Sequence, residues 1–198
     1  MPQLSASPLG STNKMIVNKI RYGRAIQRNI WEIYQSLSYR NAYVKFQSII
    51  SLSDWSYFSY ANSALYDGIF FHAIKVFDKH KESASFFYIR NCNKAIVENE
   101  LDRQKLTIEQ IETVSAKLKT IRDLTHFHND KKYIVDPQEA WKKAELTGTH
   151  LSQVSDKLWK VLNALHVLHF NRPSGHILYD AADIQNVINV VTKGGIIL

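Results

Sequence analysis

The sequence contains little cysteine, glycine or proline, and each shortage excludes a class of protein. A single cysteine, Cys92, excludes an intrachain disulfide framework and favours a reducing compartment. With no histidine near it in the sequence to activate it, Cys92 is expected to be a small, buried hydrophobic residue. Seven glycines and four prolines in 198 residues are too few for a chain rich in tight turns, and they favour long helices.

Long apolar runs are also absent. No run reaches the roughly 18 residues that a membrane-spanning helix needs, and residues 1–12 lack the basic start and apolar segment of a signal peptide. The sequence therefore predicts a cytoplasmic protein with no membrane partner. Its expected organisation is a flexible leader, 1–13, and a single helical domain, 14–198, of which 148–198 form a C-terminal helical extension.

Positive charge is concentrated in one region. Residues 14–46 hold seven basic side chains and one acidic one, so they carry +6 of the net charge of +7. At about 100° per residue, the basic positions of the first helix lie roughly opposite its apolar stripe. A local excess of this kind indicates an anionic partner. Nucleic acid is the leading candidate for that partner, with Arg21, Arg24 and Arg28 as the candidate RNA-binding residues, although a strip of this kind is more often a solvated helix face.

The spacing of apolar residues is mostly helical and predicts an all-α protein, an antiparallel bundle of about six to seven helices. Two polar residues, Asp67 and His72, fall on or near the buried surface of one helix, where paired core groups are expected rather than ligands. The expected helical segments, short ones included, cover about 15–37, 40–51, 55–77, 83–96, 107–121, 137–147, 151–168 and 180–191.

The segment 121–132, IRDLTHFHNDKK, follows a helix whose start is marked by a capping box at Thr107 and Gln110. Arginine binds phosphate with a fixed fork of donors, and histidine changes charge near neutral pH. An α-helix would place Arg122 and His128 about 120° apart. They can therefore act together only if the helix breaks between them or a second copy of the chain completes the site. His126 is the histidine that shares the face of Arg122.

This segment resembles the Arg-x(4–6)-His motif of the HEPN superfamily, including the polar residue, Asp123, that follows the arginine. It is most similar to the AbiU2-like branch, whose arginine helix ends in Ala-His-x-Asp, here Phe-His-Asn-Asp at 127–130. The stretch 74–79, IKVFDK, is similar to the arginine-leucine-phenylalanine-aspartate helix end of that branch. Phe127 and Lys75 depart from the small residue and the arginine that are usual there. The likeness covers about 24–136.

The resemblance implies a helical bundle that dimerises so that two Arg/His motifs face each other. It also implies a metal-independent endoribonuclease without a cofactor, of the toxin–antitoxin or abortive-infection type, with an antitoxin protein as a possible partner. His128 would act as the base on the ribose 2′-hydroxyl, and Arg122 would stabilise the phosphoryl charge. Asp123 or Asp130 would orient them, and Lys131 and Lys132 would contact phosphates.

Three alternatives remain open for the same residues. A non-catalytic HEPN-like module would bind RNA, a nucleotide or a protein through Arg122. A metal site could use His126, His128 and Asp130, although no further ligand motif supports it. The segment could also be a solvated helix C-terminus, where cationic side chains are favoured.

Overall fold

The computed structural model describes residues 9–49, 56–126, 137–184, 186 and 189, and the elements within them are all helical. The all-α prediction is therefore confirmed. The elements are α1 (Leu9–Ile49), α2 (Ser56–Phe77), α3 (Phe86–Cys92), α4 (Lys94–Arg103), α5 (Ile108–Ile121), a π-helical turn (Arg122–His126), α6 (Pro137–Ala144) and α7 (Gly148–Phe170).

The first helix joins two segments that the sequence predicts as separate. α1 continues through the break expected after Leu37 and ends at Ile49. No glycine or proline interrupts residues 24–49, and the buried stripe extends past the expected end through Ala42 and Phe46. Tertiary burial thus keeps the helix continuous where its local pattern weakens. Residues 9–13 of the predicted leader are helical as well, and residues 1–8 lie outside the described part.

Other helix ends follow their local signals. The capping box is confirmed, because Thr107 Oγ1 accepts the Gln110 N–H (3.3 Å) and Gln110 Oε1 accepts the Thr107 N–H (2.9 Å). α6 begins at Pro137, as predicted. The single helix expected over 83–96 is wrong, because Asn93 adopts φ −152° and ψ 68° and separates α3 from α4.

The long helix α1 packs antiparallel to both α2 and α7, which confirms the predicted antiparallel bundle. The ring pairs between them run in opposite chain directions: Tyr39 with His72 and Tyr43 with Tyr66 across α1 and α2, Tyr22 with His169 and Tyr34 with Trp159 across α1 and α7. α5 is held against the end of α2 by a buried hydrogen bond from Ser115 Oγ to the Phe77 carbonyl oxygen (2.6 Å). This contact brings the C-terminal ends of α2 and α5 into one region.

Some single-residue expectations can be compared directly with the structure. Cys92 is exposed, so its predicted burial is wrong; it is the last residue of α3, just before the interruption at Asn93. His72 is a paired polar group, as predicted, with its Nδ1 atom 2.6 Å from Glu32 Oε2, whereas Asp67 is exposed. Of the last predicted helix, residues 182–184 are helical. Among the residues that the structure describes, no helix has both the length and the apolar character needed to cross a membrane.

Candidate functional site

Arg122 is where the α-helical hydrogen-bond pattern changes. α5 presents a buried stripe of Ile111, Val114, Leu118 and Ile121 to the core, and the next five residues form a π-helical turn. π-helical turns are rare and frequently occur at functional sites. The α-helix therefore gives way to a π-helical turn at Arg122, and the predicted break before His128 falls on residues outside the described part.

The Arg122 side chain is oriented by its neighbour. Its Nε atom lies 2.9 Å and its Nη2 atom 2.8 Å from Asp123 Oδ1. Arg122 is 29% exposed and Asp123 is 40% exposed, so the pair lies at the surface. The contact uses two donors of the guanidinium fork and leaves the others for a second anion. Asp123 thus fixes the orientation of the Arg122 guanidinium.

A cleft of about 390 Å³ adjoins Arg122 and lies between the C-terminal end of α2, the loop that follows it, and α5. A volume of this size is sufficient for a small ligand or one unit of a polymer. The apolar wall comes from α2 and α5, and the ionisable side chains are Asp78, Lys79, His80, Lys119 and Arg122. The cleft therefore combines cationic groups with a carboxylate and an imidazole.

The loop after α2 has its own hydrogen bonds, and these place His80. Asp78 Oδ1 accepts the His80 N–H (3.1 Å), and His80 Nδ1 accepts the Glu82 N–H (3.4 Å). In a neutral ring that accepts at Nδ1, the proton is on Nε2. His80 Nε2 can then donate a hydrogen bond to a group in the cleft.

Two cleft residues, His80 and Lys119, were not singled out from the sequence. Lys119 precedes Arg122 by three residues, so helical spacing alone places the two cations on neighbouring positions. In the sequence, His80 is simply the residue after the Asp78-Lys79 helix end. Only the tertiary packing of the loop after α2 against α5 brings it close to Arg122. The ion pair between Lys79 Nζ and Glu112 Oε1 (2.8 Å) joins the loop to α5.

The remaining predicted catalytic and phosphate-contacting residues, His128, Asp130, Lys131 and Lys132, lie outside the described residues. His126 contributes its main chain to the π-helical turn, and its side chain also lies outside the described part. The same holds for the ligands of the metal alternative. Within the described residues, no group of three His, Cys, Asp or Glu side chains is arranged to hold a metal ion.

Comparison of the chain with protein-family models, with curated proteins and with solved structures gives no match.

The predicted RNA-contacting arginines share one surface. Arg21, Arg24 and Arg28 are all exposed on α1, and together with Lys81 they line a second pocket of about 410 Å³. Arg28 is also ion-paired with the buried Glu32, whereas Arg21 and Arg24 form no ion pair with a described residue. The structure thus brings the predicted basic face of α1 next to the loop after α2.

Proposed function

We propose that the protein is a metal-independent endoribonuclease whose catalytic centre includes Arg122. The observation that carries this proposal is the cleft in which Arg122 and Lys119 lie with Asp78, Lys79 and His80. Cationic donors stabilise the charge that develops on a phosphoryl group, and an imidazole transfers protons near neutral pH. The resemblance of 121–132 to the HEPN motif supports the same chemistry.

In the proposed reaction His128 removes the proton from a ribose 2′-hydroxyl, and the 2′-oxygen attacks the adjacent phosphorus. The bond from phosphorus to the 5′-oxygen breaks, and that oxygen takes up a proton from water, while His80 Nε2, which lines the cleft, can donate a hydrogen bond to it. Arg122, held by Asp123, stabilises the phosphoryl oxygens. Asp130 orients His128, and Lys131 and Lys132 contact flanking phosphates. The products are a 2′,3′-cyclic phosphate and a 5′-hydroxyl.

The resemblance also supports a biological setting for the proposal. HEPN endoribonucleases of the AbiU2-like type belong to toxin–antitoxin and abortive-infection systems. On this basis the protein acts on RNA in the cytoplasm and is restrained by an antitoxin protein.

A homodimer follows from the same proposal, because two facing motifs would form one composite site. Light scattering of the purified protein is expected to give a mass about twice the chain mass of 22.9 kDa. When dilution dissociates the dimer into monomers, the cleavage activity is expected to fall with the fraction of dimer. A fully active monomer would contradict a composite site.

A second candidate is a non-catalytic RNA-binding module. It is favoured by the pocket on α1, where Arg21, Arg24 and Lys81 converge outside the Arg122 cleft. Arg122 would then hold a phosphate without promoting its cleavage. RNA retention that weakens with rising salt, with no cleavage, is the result that this alternative predicts.

The two candidates are separated by incubating the protein with RNA in EDTA. Arg122→Ala is expected to lower the cleavage rate about 100-fold or more, since it removes the donor that stabilises phosphoryl charge. His128→Ala is expected to have an effect of at least similar size and His80→Ala a smaller one. Arg172→Ala is the control, because Arg172 is exposed and does not line the cleft. Cleavage abolished by EDTA, or equal in the wild type and Arg122→Ala, would contradict the proposal.

A further inference from the structure

The pocket on α1 is a separate site from the Arg122 cleft. Its walls come from one face of α1, from residues 81–84 of the loop after α2, and from Tyr88 of α3. Its volume of about 410 Å³ lies in the range of small-molecule sites.

Three cations around this pocket have no carboxylate partner among the described residues. Arg21, Arg24 and Lys81 are exposed and form no ion pair there. Other cations of the same region do pair, for example Lys79 with Glu112 (2.8 Å). Of the described side chains that line the pocket, only Glu82 is acidic. Uncompensated like charges at one concave surface are stabilised by an anion.

The pocket wall is fixed by a buried side chain. Asn29, which is 2% exposed, donates from Nδ2 to the carbonyl oxygens of Ala25 (2.8 Å) and Ala84 (2.6 Å). Ala25 and Ala84 both line the pocket, so this amide ties the loop to α1. Anchoring of this kind fixes the main chain of the pocket wall before a ligand binds.

An aromatic ring lies beside the cations. Tyr88 lines the pocket with Ala25 and Ala84, which gives one wall an apolar surface. Burial and a hydrogen bond with Cys92 raise the pKa of the Tyr88 hydroxyl, while nearby Arg21 opposes that shift. An aromatic face next to basic side chains matches a nucleobase attached to a phosphate.

We infer that this pocket binds a phosphorylated nucleoside. Arg21, Arg24 and Lys81 hold its phosphate, and Tyr88 packs against its base. Inorganic phosphate alone lacks the base and binds more weakly.

The position of the pocket suggests the source of that nucleoside. His80 lines the Arg122 cleft and Lys81 lines the pocket, and the Cα atoms of neighbouring residues are about 3.8 Å apart. A single strand of RNA that places one phosphate in the cleft can place a nearby nucleotide in the pocket. This assignment to an RNA strand rests on the proposed function, whereas a free nucleotide has the same chemistry.

The test measures binding rather than cleavage. A short fluorescein-labelled single-stranded RNA is titrated with protein in the Arg122→Ala background, which keeps the probe intact, and adenosine 5′-monophosphate is added as a competitor. Arg24→Ala and Lys81→Ala are each expected to weaken RNA binding about tenfold or more, since each loses a charge-assisted hydrogen bond. Lys19→Ala removes the same charge from the same helix without lining the pocket and is expected to change affinity less than about threefold. Thermal melts check that each variant is folded.

The outcomes separate the source of the ligand. Loss of RNA binding in Arg24→Ala but not in Lys19→Ala, with no competition by adenosine 5′-monophosphate, supports an RNA strand. If adenosine 5′-monophosphate displaces the labelled RNA, and Arg24→Ala abolishes this displacement, the result supports a free nucleotide as the ligand. Equal losses in all three variants, or no binding of either probe, would overturn the inference. Absence of cleavage by the wild type would count against the endoribonuclease proposal and leave this result standing.

Discussion

At the scale of the residue, the most constrained charged group described is Glu32. Its side chain is 2% exposed, is ion-paired with Arg28 and with Lys75 Nζ (3.3 Å), and accepts a hydrogen bond from His72 Nδ1 (2.6 Å). The His72 ring is stacked on Tyr39, with ring centroids 5.5 Å apart. One carboxylate thus joins α1 to α2 and holds Arg28 at the edge of the basic pocket.

Glu32→Gln is expected to lower the free energy of unfolding by about 1–3 kcal/mol, because it leaves the partners of a buried carboxylate without their counter-charge. This loss is smaller than for a fully buried pair because the Arg28 side chain is 62% exposed. Urea unfolding monitored by circular dichroism gives the value. Glu98→Gln is the matched control: Glu98 is 40% exposed and pairs with Arg90 and Lys94, so its loss is expected to be below about 1 kcal/mol. Equal effects of the two substitutions would contradict this view of Glu32.

At the scale of the element, the contact of α1 with α2 depends on a close approach at Gly68. A Cβ atom at this position would lie 2.8 Å from carbons of the Tyr39 ring. The ring cannot move freely, because it also stacks on His72. Glycine inside a helix lowers its stability relative to alanine, and here the close packing of Tyr39 explains its presence.

Gly68→Ala is expected to destabilise the protein by about 1–3 kcal/mol, since the overlap with Tyr39 outweighs the gain in helix propensity. Gly148→Ala is the control, because nothing lies within 4 Å of a Cβ at the start of α7. That variant is expected to be unchanged or more stable by up to about 1 kcal/mol. Thermal and urea unfolding compare the two. A more stable Gly68→Ala variant would show that the packing of α1 on α2 tolerates an added methyl group.

The elements themselves show what the sequence can predict. The N-cap of α5 at Thr107 and the start of α6 at Pro137 are set by short-range rules, and both were predicted. The continuity of α1 beyond Leu37 and the interruption at Asn93 were not, because they depend on which face the rest of the bundle covers. The π-helical turn at Arg122 has no signal in the residue spacing.

At the scale of the whole molecule, most of the candidate site is formed by packing between segments that are distant in the sequence. Sequence reasoning identified Arg122 and Asp123 at the end of α5, and the basic face of α1 with Arg21 and Arg24. It could not show that the loop after α2 lies between them, because the packing of α2 against α1 and α5 positions that loop. Residues 78–80 line the Arg122 cleft and residues 81–84 line the pocket on α1, so this one loop contributes side chains to both proposed sites.

The central claim is that Arg122 supports cleavage of RNA through attack by the RNA's own 2′-hydroxyl. Identifying the chemical groups at the ends of the products tests it most directly. RNA incubated with the wild-type protein in EDTA is expected to yield fragments with a 2′,3′-cyclic phosphate and a 5′-hydroxyl, and the Arg122→Ala variant is expected to yield almost none. A matched oligonucleotide with 2′-deoxyribose at the cleaved position is expected to remain intact. Fragments with 3′-hydroxyl and 5′-phosphate ends, or equal yields from the wild type and Arg122→Ala, would contradict the claim.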